Sequence, residues 1–150
     1  MKLYHMIDTI NEPAITTLWT LGHYWIGIFF FFTFDLFIEK ELLNFIIINI
    51  IHLCYELKDY YYTYLKSYDS SFMYYFSSQN TLINSIGDTI FFILGIYTAC
   101  NIKHNKYINK KLEDYKKKCR IKIDNKYIFT IFFGIIYIIM FSLFIYYDID

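Results

Sequence analysis

The chain has 150 residues, the length of one ordinary domain, but its composition is not that of an ordinary soluble domain. Hydrophobic residues make up 57% of it and aromatic residues 23%, whereas average soluble proteins are roughly 45–50% apolar. Fourteen basic and fourteen acidic residues give a net charge of zero, so the chain as a whole has no field that would attract nucleic acid. These values argue against a soluble enzyme, a disordered tail and a nucleic-acid partner, and they favour an integral membrane protein.

The choice of residue types is strongly biased. There are 28 Ile residues but no Val, and there are two Ala, one Arg and one Pro. Ile, Phe, Tyr, Asn and Lys have AT-rich codons, so the bias indicates an AT-rich genome, such as that of some large DNA viruses, low-GC bacteria or parasites. The number of Tyr or Asn residues is therefore no guide to function.

The apolar residues are gathered in stretches long enough to cross a bilayer, whose core of about 30 Å needs about 20 residues of helix. Four stretches are predicted to span it: residues 15–38, 41–60, 82–100 and 127–147. The last has no formal charge, the third contains Asp88, and the second is interrupted by Asn49, His52 and Glu56. Because each span must satisfy its own backbone in lipid, we predict an all-α bundle of four transmembrane helices.

The segments between the spans predict the orientation of a single membrane domain over residues 1–150. Residues 61–81 are rich in Tyr and Ser, which favours an outer loop lying along the headgroups. Residues 101–126 hold ten of the fourteen basic residues, so the positive-inside rule makes them a cytoplasmic loop. Both termini then lie on the outer, extracytoplasmic or lumenal, side. The expected partners are membrane lipids, anionic lipids at the 101–126 loop and, left open, a second copy of the chain.

Polar residues within the spans fall on restricted faces, taken at 100° per residue. Six on the second helix share an arc of about 140°: Glu41, Asn44, Asn49, His52, Glu56 and Asp59. The third helix carries a narrower stripe of polar and small residues, of the kind that lets helices approach closely: Asn84, Asp88, Gly95 and Ala99. Ionisable groups in spans are energetically costly, so each is expected to have a partner or a role.

Depth predicts which of these residues meet. At 1.5 Å per residue from the outer ends, His23 and His52 each lie about 12 Å deep, Asp88 about 9 Å, Glu56 about 6 Å and Asn84 about 3 Å. Three helices would thus bring two imidazoles, two carboxylates and an amide into the outer half of the bilayer. These five residues are the candidate functional residues.

Several functions remain open for this cluster. The leading interpretation is a non-enzymatic membrane module that uses it for helix packing or for binding an ion or small polar ligand. Imidazole and carboxylate ligands suit Zn²⁺ or a related divalent metal, held by His23, His52, Glu56 and Asp88. A metal-dependent enzyme acting on a lipid or its headgroup is an alternative, with Asn84 orienting the substrate. So are a proton or cation pathway through Asp88 and His52, and a haem between the two histidines.

Three short motifs occur in order along the first three spans: Gly22-His23, His52-Leu53-Cys54-Tyr55-Glu56 and Asn84-Ser85-Ile86-Gly87-Asp88. This order resembles VanZ-like small membrane proteins over residues 19–100. The sequence departs from that pattern by lacking the prolines usual around the loops and by adding His52 and Asp88. The resemblance implies a compact multi-helix membrane domain of cell-envelope type and supports His23, Glu56 and Asn84 as a functional group. It implies no particular chemistry.

Overall fold

A computed structural model describes residues 18–68 and 82–149, which form α-helices and short connections with no strand. The helices are α1 (Leu18–Asp35), α2 (Glu41–Tyr68), α3 (Leu82–His104), α4 (Lys106–Cys119) and α5 (Asn125–Ile149). The all-α prediction is confirmed. The predicted outer N-terminus, the start of the first span at residues 15–17 and the rest of the outer loop at 69–81 lie outside the described residues.

Helices α1 and α3 form the closest pair, because each presents a glycine to the backbone of the other. A Cβ atom on Gly27 would collide with the carbonyl oxygen of Phe92, and one on Gly95 would collide with that of Tyr24. Gly95 belongs to the small-residue stripe predicted for this helix, so the predicted close approach is confirmed. Ala99 of the same stripe is fully buried.

Helix α5 packs on the other side of α1 through aromatic rings. Phe133 stacks on Phe32 with 5.5 Å between ring centroids, and Phe129 lies against the same ring at 5.0 Å. Gly134 faces the ring of Phe29, to which a Cβ would come within 3.1 Å. Up to Leu143, most of the other apolar side chains of α5 are exposed, so one face of this stretch packs against the bundle and the other does not.

One end of the bundle is joined by charged side chains from three helices. Lys103 Nζ lies 2.7 Å from Asp35 Oδ1 and 2.9 Å from Glu41 Oε1, and His104 Nε2 lies 2.9 Å from Glu41 Oε1. The C-terminus of α1, the N-terminus of α2 and the C-terminus of α3 therefore meet at the same end. Helix α2 is therefore antiparallel to α1, and α3 is antiparallel to α2. The ion pair also gives the buried carboxylate of Asp35 a counter-charge, Lys103, that was not predicted from the sequence.

Two segments predicted as loops between the spans contain helix. Helix α2 does not end at residue 60 but continues to Tyr68, because no Gly or Pro interrupts residues 41–68. The 101–126 segment is mostly helix rather than loop: α3 continues to His104, and α4 follows at once. The Asn105 side chain caps α4 by accepting hydrogen bonds from the backbone N–H groups of Tyr107 and Ile108.

Two of the helices are long and apolar enough to cross a bilayer, judged by length and composition. They are Ile83–His104, with a mean hydropathy of 1.4, and Asn125–Leu143, with a mean hydropathy of 2.0. Over the described residues, α1 and α2 do not meet the same criterion of length and mean hydropathy. The polar and tyrosine residues of α2 lower its mean hydropathy, and His23 and Asp35 do so in α1.

Candidate functional site

The five predicted residues meet at the end of the bundle opposite Lys103. Helix α1 supplies His23, α2 supplies His52 and Glu56 one turn apart, and α3 supplies Asn84 and Asp88. His52, Glu56 and Asp88 are buried, with 4%, 5% and 3% of their surface exposed. The rings of His23 and His52 touch edge to face with 5.2 Å between centroids, so the two residues lie at the same level of the bundle. Their depth in a bilayer stays a prediction.

The carboxylate of Glu56 lies between the two imidazoles. Its Oε1 atom is 3.7 Å from His23 Nδ1 and 3.9 Å from His52 Nε2. One potential ligand atom from each of the three residues lies within 4.8 Å of the others. The ring of His52 is held in place by stacking on Phe92, with 4.1 Å between centroids and 11° between planes. We call His23, His52 and Glu56 the imidazole–carboxylate trio.

These separations are too long for direct hydrogen bonds, which need about 2.7–3.2 Å between heavy atoms. Within the described part of the chain, His23 Nδ1 and His52 Nε2 are buried and have no hydrogen-bond partner. Leaving a buried nitrogen without a partner costs about 1–3 kcal/mol. A tetrahedral zinc site with bonds of roughly 2.0–2.2 Å places its ligand atoms about 3.4 Å apart. The two nitrogen–carboxylate distances, 3.7 and 3.9 Å, would therefore need to shorten by about 0.3–0.5 Å around such an ion. The third separation, between the two imidazole nitrogens, is at most 4.8 Å and would need to shorten by up to about 1.4 Å.

Asp88 lies beside the trio rather than within it. Its Oδ1 accepts a hydrogen bond of 2.6 Å from Thr20 Oγ1, and its Oδ2 accepts one of 2.8 Å from Asn84 Nδ2. The same Oδ2 is 3.6 Å from His23 Nε2, the ring nitrogen opposite the one that faces Glu56. At this distance the contact is longer than a hydrogen bond. A carboxylate here would orient the histidine, and fix which nitrogen carries the proton, if it closed to about 2.7–3.2 Å. Thr20 was not predicted, although it lies one turn from His23 on α1.

The residues of the predicted polar face of α2 do not all have the same surroundings. Asn44 is fully buried and donates a hydrogen bond of 3.1 Å to the carbonyl oxygen of Phe31, so it ties α2 to α1. Asn49 instead donates a 2.8 Å bond to the carbonyl oxygen of Phe45 on its own helix. Asn44, His52 and Glu56 thus face the bundle, whereas Asn49 lies at the margin of the arc and joins neither the site nor the packing.

The trio borders open space on two sides. A cavity of about 180 Å³ has His23 and His52 in its wall. A separate groove between α2 and α3, of about 550 Å³, has Glu56 in its wall. The two histidine rings themselves are in contact, which leaves no room for a haem between them. The three donor atoms could hold a single metal ion between them.

Comparisons with protein-family models, with curated proteins and with solved structures found no match for this chain. The resemblance of residues 19–100 to VanZ-like membrane proteins therefore stays a prediction.

Proposed function

We propose that this chain is a four-span membrane protein that binds one divalent transition-metal ion, of the zinc class, at His23, His52 and Glu56. Helices α1, α2, α3 and α5 are the spans in this proposal, and α4 lies along the membrane surface. The ion has three protein ligands and an open fourth position. In this proposal Asp88 stays outside the coordination sphere and closes from 3.6 Å to a hydrogen bond with His23 Nε2, which orients the imidazole when the ion is bound.

The exposed apolar surface of α5 supports placement in a membrane. Only 11% of the Asn125–Leu143 stretch is buried within the chain. Its exposed side chains form a continuous apolar surface: Ile131, Phe132, Ile135, Ile138 and Ile139 are each more than half exposed. A surface of this kind is disfavoured in water unless lipid or a partner covers it. In the proposed arrangement, lipid covers the exposed face of the Asn125–Leu143 stretch.

The orientation follows from the distribution of charge. The end that holds Lys103 also carries α4, whose lysines belong to the most basic segment of the chain. The positive-inside rule assigns this end to the cytoplasm, and the metal site then lies in the outer half of the bilayer. Ile108 and Leu112 of α4 pack against the bundle. Lys116 is bonded to Glu113 and Asn125, whereas the other lysines of α4 are exposed and can contact anionic headgroups.

One observation carries the metal site: two buried imidazole nitrogens without hydrogen-bond partners both face a single carboxylate oxygen. A hydrogen-bonded clasp between helices would need the two nitrogen–carboxylate distances to shorten by about 0.8–1.0 Å, whereas a metal ion needs about 0.3–0.5 Å for each of them. An ion satisfies both nitrogens at once. Their satisfaction matters most in a bilayer, where a buried polar atom without a partner is most costly.

Elemental analysis of protein purified in detergent without chelator tests the proposal. We expect about one zinc, manganese or iron ion per chain, and its loss in His52→Ala. The matched control is His104→Ala, because His104 is an exposed histidine at the opposite end of the bundle, and this variant should keep its metal.

Titration of metal-free protein with Zn²⁺ against a chromophoric chelator gives an independent measurement. The parent chain and His104→Ala should bind one ion with the same affinity. The proposal fails if the parent binds no more zinc than a correctly folded His52→Ala variant.

A further inference from the structure

The cavity beside the metal site is elongated and apolar. On α1 it is lined by Trp19, His23, Ile26 and Phe30, which recur at helical spacing and cover about 16 Å of helix axis. It therefore runs along the bundle, parallel to the membrane normal in the proposed placement. Its volume of about 180 Å³ exceeds that of an engineered apolar cavity of roughly 150 Å³ that stays dry and binds benzene.

The two other walls come from helices that face lipid. Helix α2 contributes Ile51 and Tyr55, which are 39% and 51% exposed, and α5 contributes Tyr137, Met140 and Phe141. The cavity thus lies between two helices that each pack on α1, and exposed apolar side chains connect it to the outer surface of the bundle. In a membrane this surface is covered by acyl chains, so hydrocarbon is the material at the mouth of the cavity.

A polar feature distinguishes this cavity from an ordinary packing defect. His52, which is 96% buried within the chain (4% exposed), lines it together with His23, so the wall of the cavity contains both imidazoles of the proposed metal site. A ligand bound here would place its apolar part against Phe30 and Met140. Its polar part would lie at the level of the two imidazoles.

From this arrangement we infer that the cavity binds one hydrocarbon chain of a membrane lipid and brings that lipid next to the metal site. The inference rests on the proposed membrane placement and metal site, and it names the ligand class of that site as lipid. A charged water-soluble ligand fits less well, because it would lose its hydration against aromatic and aliphatic walls. It would also have to cross acyl chains to reach the opening.

Photo-crosslinking tests this inference. The probe is a phosphatidylcholine with a diazirine in the middle of one acyl chain, diluted into unlabelled phosphatidylcholine liposomes that contain the full-length protein. We expect crosslinking at Tyr55 and Tyr137 that saturates as the probe fraction rises. Met140→Trp fills the cavity and should reduce crosslinking at these two positions at least fivefold.

The matched control is Ile139→Trp, one residue away on the same helix, which is exposed and outside the cavity lining. It should leave crosslinking at Tyr55 and Tyr137 unchanged. Gly22→Leu fills the cavity from α1 and should act like Met140→Trp, so that the result does not depend on one variant. The inference is overturned if crosslinks spread without saturation over all lipid-facing residues, or if both filled variants label as strongly as the parent.

Zinc content measured on the same samples separates the two proposals. A parent chain that binds zinc but shows no saturable labelling contradicts the lipid site alone. A parent chain without zinc contradicts the metal site, whatever its labelling. Filled variants that keep their zinc are shown to be folded around the trio, so their loss of labelling is due to the cavity.

Discussion

Replacing Gly95 with Ala should destabilise the bundle, although Ala is ordinarily the better helix former. Gly95 lies where α3 meets α1, and a Cβ there would collide with the carbonyl oxygen of Tyr24. A backbone atom cannot rotate away as a side chain can, so the two helices must separate. The separation weakens the packing of neighbouring buried residues such as Ile28 and Ile96.

The magnitude follows from two opposing effects. Overpacking a tight contact costs about 1–3 kcal/mol, and the rigid obstacle here places the cost near the upper value. Ala in place of Gly in a helix recovers about 1 kcal/mol. We therefore expect Gly95→Ala to lower the free energy of unfolding by about 2 kcal/mol, or roughly 30-fold in the unfolding equilibrium.

Gly134→Ala is the matched control. The added Cβ would meet only the ring of Phe29, at 3.1 Å, and a ring can yield by a few tenths of an ångström. The gain in helix propensity should then dominate, giving a change between zero and about 1 kcal/mol in favour of the variant. Equilibrium unfolding in mixed micelles, followed by far-ultraviolet circular dichroism, measures both variants. Equal stability of the two variants would refute the close contact between α1 and α3.

Three further predictions concern the remaining parts of the molecule. Lys103→Met removes the counter-charge of buried Asp35 and should lower the free energy of unfolding by about 2 kcal/mol. Adding Asp35→Asn should recover part of this loss, and no recovery would argue against the pair. Asp88→Asn should weaken zinc binding 10–100-fold in a chelator competition while the protein stays folded; an unchanged affinity would remove Asp88 from the site. A variant that keeps Cys119, which is exposed, as its single cysteine should react with a membrane-impermeant maleimide in inverted vesicles. Reaction in right-side-out vesicles would contradict the orientation.

The sequence predicted the meeting of the site residues better than it predicted the ends of the helices. Periodicity places His52 and Glu56 on one face, and depth places His23 and His52 at one level; both depend only on helix geometry. The end of α2 depends on a stop signal, and Tyr-rich residues 60–68 contain none. Helix α4 was missed because its lysines suggested a solvated loop, whereas its start depends on the single cap at Asn105.

The sequence did not predict the roles of the individual residues within the site. Asp88 was predicted as a metal ligand, and that assignment stays untested. The structure places it on the far side of the His23 ring, at Nε2. Which ring nitrogen faces which carboxylate depends on side-chain rotation, and periodicity does not predict it. The ion pair between Asp35 and Lys103 joins residues 68 positions apart, and no local pattern indicates a contact of that kind.

X-ray absorption at the zinc edge, on metal-loaded protein in detergent, tests the metal site most directly. The account predicts a shell of nitrogen and oxygen atoms at about 2.0–2.2 Å with the scattering signature of two imidazoles. A sulfur shell near 2.3 Å would mean that cysteines bind the metal. Either that result or a shell of water oxygens alone would contradict a site built from His23, His52 and Glu56.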